Sequence, residues 1–115
     1  MEVIKQRERK RIEIIKAARK WVTDLNFRVS AILIGSYARG DFNLWSDVDI
    51  LLISDTFKGN PLDRLKTLDP PAGFQIIPIS MEEFKILLRR KDILAEEALR
   101  HGVILRDDLQ IGTTS

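Results

Sequence analysis

The chain has 115 residues, 44% of them apolar and 31% charged, with a formal net charge of +2 and no cysteine. That length supports one substantial core and excludes two, the composition is that of a soluble globular domain with a densely charged surface, and zero cysteines exclude disulfides and thiolate metal sites. No apolar run approaches the ~18 residues of a membrane span, and charges stand where a signal peptide needs an apolar centre, so a cytoplasmic domain is expected.

Residues 3–25 lack Gly and Pro and space Ile14, Ile15, Ala18, Trp21, Val22 and Leu25 three and four apart, the pattern of an amphipathic helix. Trp21 reads as a core residue of that stripe. Charge is uneven: the first 20 residues hold eight Lys or Arg against three Glu, a net +5, leaving −3 for the remainder. This basic face reads as a solvated helix surface. Its functional alternative is a contact for RNA, DNA or an acidic partner protein, since clustered cations attract polyanions, but no aromatic interleaving offers base stacking.

Residues 26–28 turn into a strand over 29–34, rich in branched apolar side chains, and residues 50–53 form a second short apolar strand. The chemistry lies between them. Successive strand side chains alternate faces, so Asp47 and Asp49 project to one side, about 6–7 Å apart. That suits a shared cation: Mg²⁺ prefers hard oxygen ligands and binds readily alongside substrate phosphates. Gly35 lets the backbone come close to a ligand, and freed amides with the Ser36 hydroxyl can bind phosphate oxygens where a short helix over 36–40 begins. Arg39 within that helix has three candidate partners: a phosphate, Asp41 or Asp47. In the loop 41–46, Phe42, Leu44 and Trp45 either pin the loop to the core, the plainer reading, or line a base pocket. Asp is depleted in strands, so two on one strand face, followed there by Leu51 and Ile53, call for a reason beyond solubility.

A polar connection over 54–60 ends at Pro61, which stands near the first turn of a short helix over 62–68. Residues 69–73 break that helix, and 74–79 alternate as a third strand, with Pro78 placing it near an edge or an end. Ser80 and Glu83 form a capping box that opens a helix with Phe84, Ile86, Leu87 and Leu88 on its apolar side and basic residues at its C-terminal end. Asp92 caps a helix over 93–101 that Gly102 stops, and His101, the only histidine, sits where His often caps a helix end. Residues 103–105 form a last strand or an extended packing segment. The chain reads as a single domain over 1–109 followed by a flexible tail at 110–115, with no internal repeat.

Gly35-Ser36, ten intervening residues and Asp47-x-Asp49, with Ala38-Arg39-Gly40 inside and Ser46-Asp47 before the second strand, together resemble the signature of the DNA polymerase beta-like nucleotidyltransferase superfamily. The short chain resembles its minimal nucleotidyltransferases. The resemblance implies an α/β (α+β) two-layer fold, a small mixed sheet with helices packed mainly on one face, and the alternating helix and strand signals independently agree. It also implies Mg²⁺-dependent transfer of a nucleoside monophosphate, AMP from ATP in the first instance, to a hydroxyl acceptor with release of pyrophosphate. Gly35, Ser36 and Arg39 would then bind the nucleotide, and Asp47 and Asp49 would be the catalytic residues that hold Mg²⁺.

Relatives commonly supply a third carboxylate from the third strand, where this chain has Gln75. A neutral amide cannot act as a base, which weighs against two-ion binding and predicts slow transfer; the loop acids Asp55, Asp63 and Asp69 are substitutes that no spacing argument selects. Larger relatives hold the base or the acceptor with extra domains, so this chain is expected to borrow such walls from a partner or a second copy of itself. Minimal nucleotidyltransferases often pair with a helical HEPN protein, a ribonuclease toxin in some pairs. The resemblance therefore also implies an alternative, a weakly active or inactive antitoxin-like subunit that binds a HEPN-type partner.

Overall fold

In the computed structural model, which describes residues 2–113, the two apolar runs flanking the Gly35–Asp49 stretch form the centre of a four-stranded sheet. Strand β1 (Ser30–Ile34) pairs antiparallel with β2 (Val48–Ile53) on one side and with β4 (Val103–Asp107) on the other, while β3 (Phe74–Ile79) lies parallel to β2 at the far edge. The order is β3-β2-β1-β4, a mixed sheet as expected. Pro78 lacks the N–H that a central strand would use, and its strand is an edge strand. Among the described residues there are five α-helices: α1 (Glu2–Thr23), α2 (Gly35–Arg39), α3 (Pro61–Leu65), α4 (Met81–Arg89) and α5 (Ile93–His101). Among the described residues, no helix is long and apolar enough to cross a membrane.

The helical cover extends to both faces of the sheet rather than mainly to one. Ala31, Leu33, Ile50, Leu52 and Ile76 pack on one face with Ala18 and Val22 of α1; Ile32, Ile34, Leu51 and Ile53 pack on the other with Phe84 of α4 and Ala95 and Ala98 of α5. The reason is the near-continuous apolar character of β1 and β2, which leaves a hydrophobic surface on each side that a single helical layer would expose. Trp21 joins the first core as expected, meeting Phe74 edge to face with ring centroids 6.3 Å apart. On α4 the capping box forms, with Ser80 Oγ accepting from the Glu83 N–H and Glu83 Oε1 accepting from the Ser80 N–H. Ile86, expected on the apolar side, is instead partly exposed, because Phe84, Leu87 and Leu88 already occupy the inward positions.

The expected loose tail is corrected in its first part. The Asp107 carboxylate accepts from the backbone N–H groups of Ile111 and Gly112 and from Ser30 Oγ, each at 2.8 Å, and Ile111 is buried against the second core. Burial opposes ionisation of Asp107, but the donors of Gly112, Ser30 and Ile111 outweigh it and hold the carboxyl below its usual range. Thr114 and Ser115, the end of that expected tail, lie outside the described residues.

Two arginines tie the layers together. Arg106 of β4 donates to the carbonyls of Val22, Leu25 and Phe27, satisfying the C-terminal end of α1 and the chain just beyond it. Arg64 of α3, only 8% exposed, donates to the carbonyls of Gly59 and Pro78 and to Glu83 Oε1. Removing the Arg64 guanidinium leaves those acceptors without their donor, so Arg64→Met should cost about 2–3 kcal/mol of stability in urea unfolding.

Candidate active site

β1 ends at Ile34, and the chain turns at once into α2 through Gly35 at φ +75°. Gly35 is required there twice over. That φ strains any L side chain, and a Cβ would stand 2.4 Å from Asp49 Oδ2. Asp49 therefore sits directly against the turn. The sheet register explains the placement: Asp49 pairs with Ile34 across the antiparallel β1 ladder and with Gln75 across the parallel β3 ladder, at the same end of three adjacent strands.

Asp47 precedes β2 and is exposed, while Asp49 is half-buried within the strand. Burial pushes the Asp49 carboxyl above its usual range; the nearby charges of Asp47 and Glu97 push the same way, and Arg39 opposes them. Two hard-oxygen groups that repel each other at one strand end are a donor set that a divalent cation satisfies. Among the described residues, no group of three or more His, Cys, Asp or Glu is close enough to share a metal ion, so such a cation would complete its shell with water, substrate oxygens or the Gln75 amide. Of the loop acids, Asp55 pairs with Arg28 at the other end of β2, and Asp63 pairs with Lys66.

Ser36 is the second residue of α2, whose N-cap position, Ile34, provides no side-chain hydrogen bond. Arg39 closes it. Of its expected partners the structure selects Asp41, whose Oδ2 accepts from Nε at 3.2 Å, and not Asp47; its second partner is Glu97 of α5, which the sequence reading did not single out. Glu97 has no motif to announce it, since it lies 58 residues from Arg39. The only hint is its place beside Ala95 and Ala98, small residues that let α5 approach the sheet closely.

The 41–46 loop divides in two. Phe42 is buried and stacks on Tyr37 with ring centroids 4.3 Å apart, so it pins the loop as expected. Leu44 and Trp45 do not pin the loop to the core: they are 94% and 89% exposed. A tight turn holds them outward, with Asn43 Oδ1 accepting from the Trp45 N–H at 2.8 Å and Ser46 Oγ accepting from the Asn43 N–H at 2.9 Å. The basic half of α1 reaches the site's outer side, where Arg11 donates to the carbonyls of Tyr37 and Ala38 and the Arg7 guanidinium lies over the Phe42 ring.

Residues 9–110 match the sequence profile of the nucleotidyltransferase domain. In fold the chain is similar to the crystal structure of a candidate nucleotidyltransferase from Sulfolobus solfataricus, with a TM-score of 0.61 and 20% identity over 85% of this chain and 84% of that one. No curated protein matches the sequence significantly.

Because the Asp49 carboxyl titrates above the ordinary aspartate range in the folded chain, its ionisation opposes folding. That penalty is absent below the unfolded-state pKa, grows as pH rises through the folded-state value, and is complete above it. Asp49→Asn should raise the Tm at pH 7 by about 2–5 °C, and the gain should vanish below about pH 4, as followed by circular dichroism melting across pH.

Proposed function

We propose that this chain, which belongs to the nucleotidyltransferase domain family, transfers a nucleoside monophosphate, in our reading AMP from ATP, to a hydroxyl acceptor with release of pyrophosphate. The observation that carries this reading is the Asp49 carboxylate lying against the side-chain-free turn at Gly35, with Asp47 beside it and the start of α2 on the same strand end. Nucleotidyltransferase domains act on nucleoside triphosphates and generally use divalent metal ions. Here Asp47 and Asp49 would hold Mg²⁺, which would supply a positive charge to neutralise the negative charge that develops as pyrophosphate leaves. The amides at Gly35 and Ser36, with the Ser36 hydroxyl, orient the outgoing phosphates, and Arg39 contributes a guanidinium suited to bidentate phosphate contacts.

Gln75 defines the weakness of the site. Its register opposite Asp49 places an amide where a carboxylate would add both a hard ligand and a proton acceptor. The chain's own residues thus bind and orient the donor better than they activate the acceptor. Transfer is expected to be slow.

A second reading is favoured by one feature, the outward Leu44 and Trp45 on the loop leading into Asp47. Large apolar side chains held in water by a tight turn suit contact with another protein. On this reading the chain is an antitoxin-like subunit for a HEPN-type helical partner, with nucleotide transfer to that partner or binding alone as its action. An Asp47→Asn variant that still neutralised such a partner would make catalysis dispensable.

Titration calorimetry with ATP, with and without Mg²⁺, tests the first reading directly. Asp47→Asn should weaken Mg²⁺-dependent ATP binding at least about tenfold while the fold persists; unchanged binding would sink the assignment. Conversely, Gln75→Asp adds a hard oxygen opposite Asp49 and should tighten Mg²⁺ binding in the absence of nucleotide by about tenfold, measured the same way.

A further inference from the structure

Arg39 is engaged on two sides. Its Nε–H donates to Asp41 and its Nη1–H to Glu97, and the second contact joins α2 to α5 beside a pocket of about 240 Å³ that Ile93, Glu96, Arg100 and His101 also line. Arg39 ends the helix that begins at Gly35, the turn against which Asp49 lies, so this ion pair ties the candidate site to α5.

We propose that Glu97 is a positioning residue for the nucleotide: it holds Arg39 in a resting arrangement and yields it to the triphosphate, so that binding exchanges one ion pair for another. The inference rests on the nucleotide reading of the site. The side chains of Arg39 and Glu97 are 38% and 24% exposed, and a pair this open to water is weakly held, because solvent screens it and two long side chains lose freedom in making it. A triphosphate offers several anionic oxygens in a geometry that a guanidinium grips bidentately. Asp41, two residues from Arg39, can follow the guanidinium as a local tether. Glu97 sits on a different helix and is the partner that separates. Its freed carboxylate then adds negative charge that Asp49 feels, which strengthens the demand for a divalent cation once the phosphates have arrived. Phosphate capture and cation binding become coupled through one side chain that no motif contains.

The test is titration of the full chain with ATP at fixed Mg²⁺, comparing the wild type with Glu97→Gln and Glu96→Gln. Glu97→Gln releases Arg39 without emptying the space, and should bind ATP about three- to tenfold tighter. Glu96→Gln removes the same charge from the same pocket without removing the partner of Arg39, and should leave affinity unchanged. A purely structural link between α2 and α5 would instead show as a lower melting temperature in Glu97→Gln with no gain in affinity. Unchanged or weaker binding by Glu97→Gln overturns the exchange, as does an equal gain in Glu96→Gln, which would reduce Glu97 to a general negative charge. If the wild type binds ATP and Glu97→Gln matches it, the exchange alone fails. If neither binds ATP, GTP, CTP or UTP, the nucleotide reading fails and takes the exchange with it.

Discussion

The missing side chain at Gly35 lets a carboxylate lie against the backbone at the point where β1 becomes α2, and the rest of the site is arranged around that contact. A residue with a Cβ would collide with Asp49 and would also have to adopt a positive φ. The turn therefore accepts only glycine, and β2 must present Asp49 at the register that faces it. That register is firm because β1 and β2 are buried on both faces: a slip of one residue would drive every inward side chain to the opposite core and Asp49 with them. The half-buried, partly desolvated carboxylate is a local cost to stability, carried by a strand whose following residues are all buried. Strained or charged features of this kind persist where the surrounding structure is rigid enough to enforce them.

The same reasoning extends to α5. Its close seat on the sheet depends on Ala95 and Ala98, both buried, and on Gly102, where a Cβ would stand 2.5 Å from Ile32 Cγ2. Larger residues there would lift the helix away and take Glu97 out of reach of Arg39. Packing in the second core thus decides which charges meet beside the first. On the outer side, Arg11 occupies the carbonyls of Tyr37 and Ala38, so one cation of the basic helix is a fastening for α2, while Lys5, Arg7, Arg9 and Lys10 remain exposed. Arg7, though exposed, lies with its guanidinium over the Phe42 ring, so a second cation of that half also meets the segment after α2.

Gln75 shows how a site can be legible and still incomplete. The family resemblance directs attention to the third strand, and the register places Gln75 beside Asp49. What the amide does there is chemistry that the geometry constrains and does not replace. Of the other acids, Asp55 pairs with Arg28 at the far end of β2, Asp63 with Lys66 and Glu97 with Arg39. On the proposed reading, a chain with this disposition holds a nucleotide better than it activates an acceptor.

The sequence by itself determined the order of helices and strands, an edge or end position for the strand that holds Pro78, the capping box at Ser80 and Glu83, and the Gly35-Ser36 and Asp47-x-Asp49 stretch. Each of these is encoded by neighbours or by a repeating period, so the signal survives without knowledge of the fold. Only the tertiary structure decided that both sheet faces carry helices, that Leu44 and Trp45 stand in water, that Asp107 docks the segment after β4, and that Arg39 meets Glu97. These depend on residues far apart in the chain, such as the 58 positions between Arg39 and Glu97 or the 77 between Ser30 and Asp107. Whether an arginine finds a carboxylate across such a gap is set by how closely helices seat on the sheet, which is a property of packed volumes and has no local pattern to read.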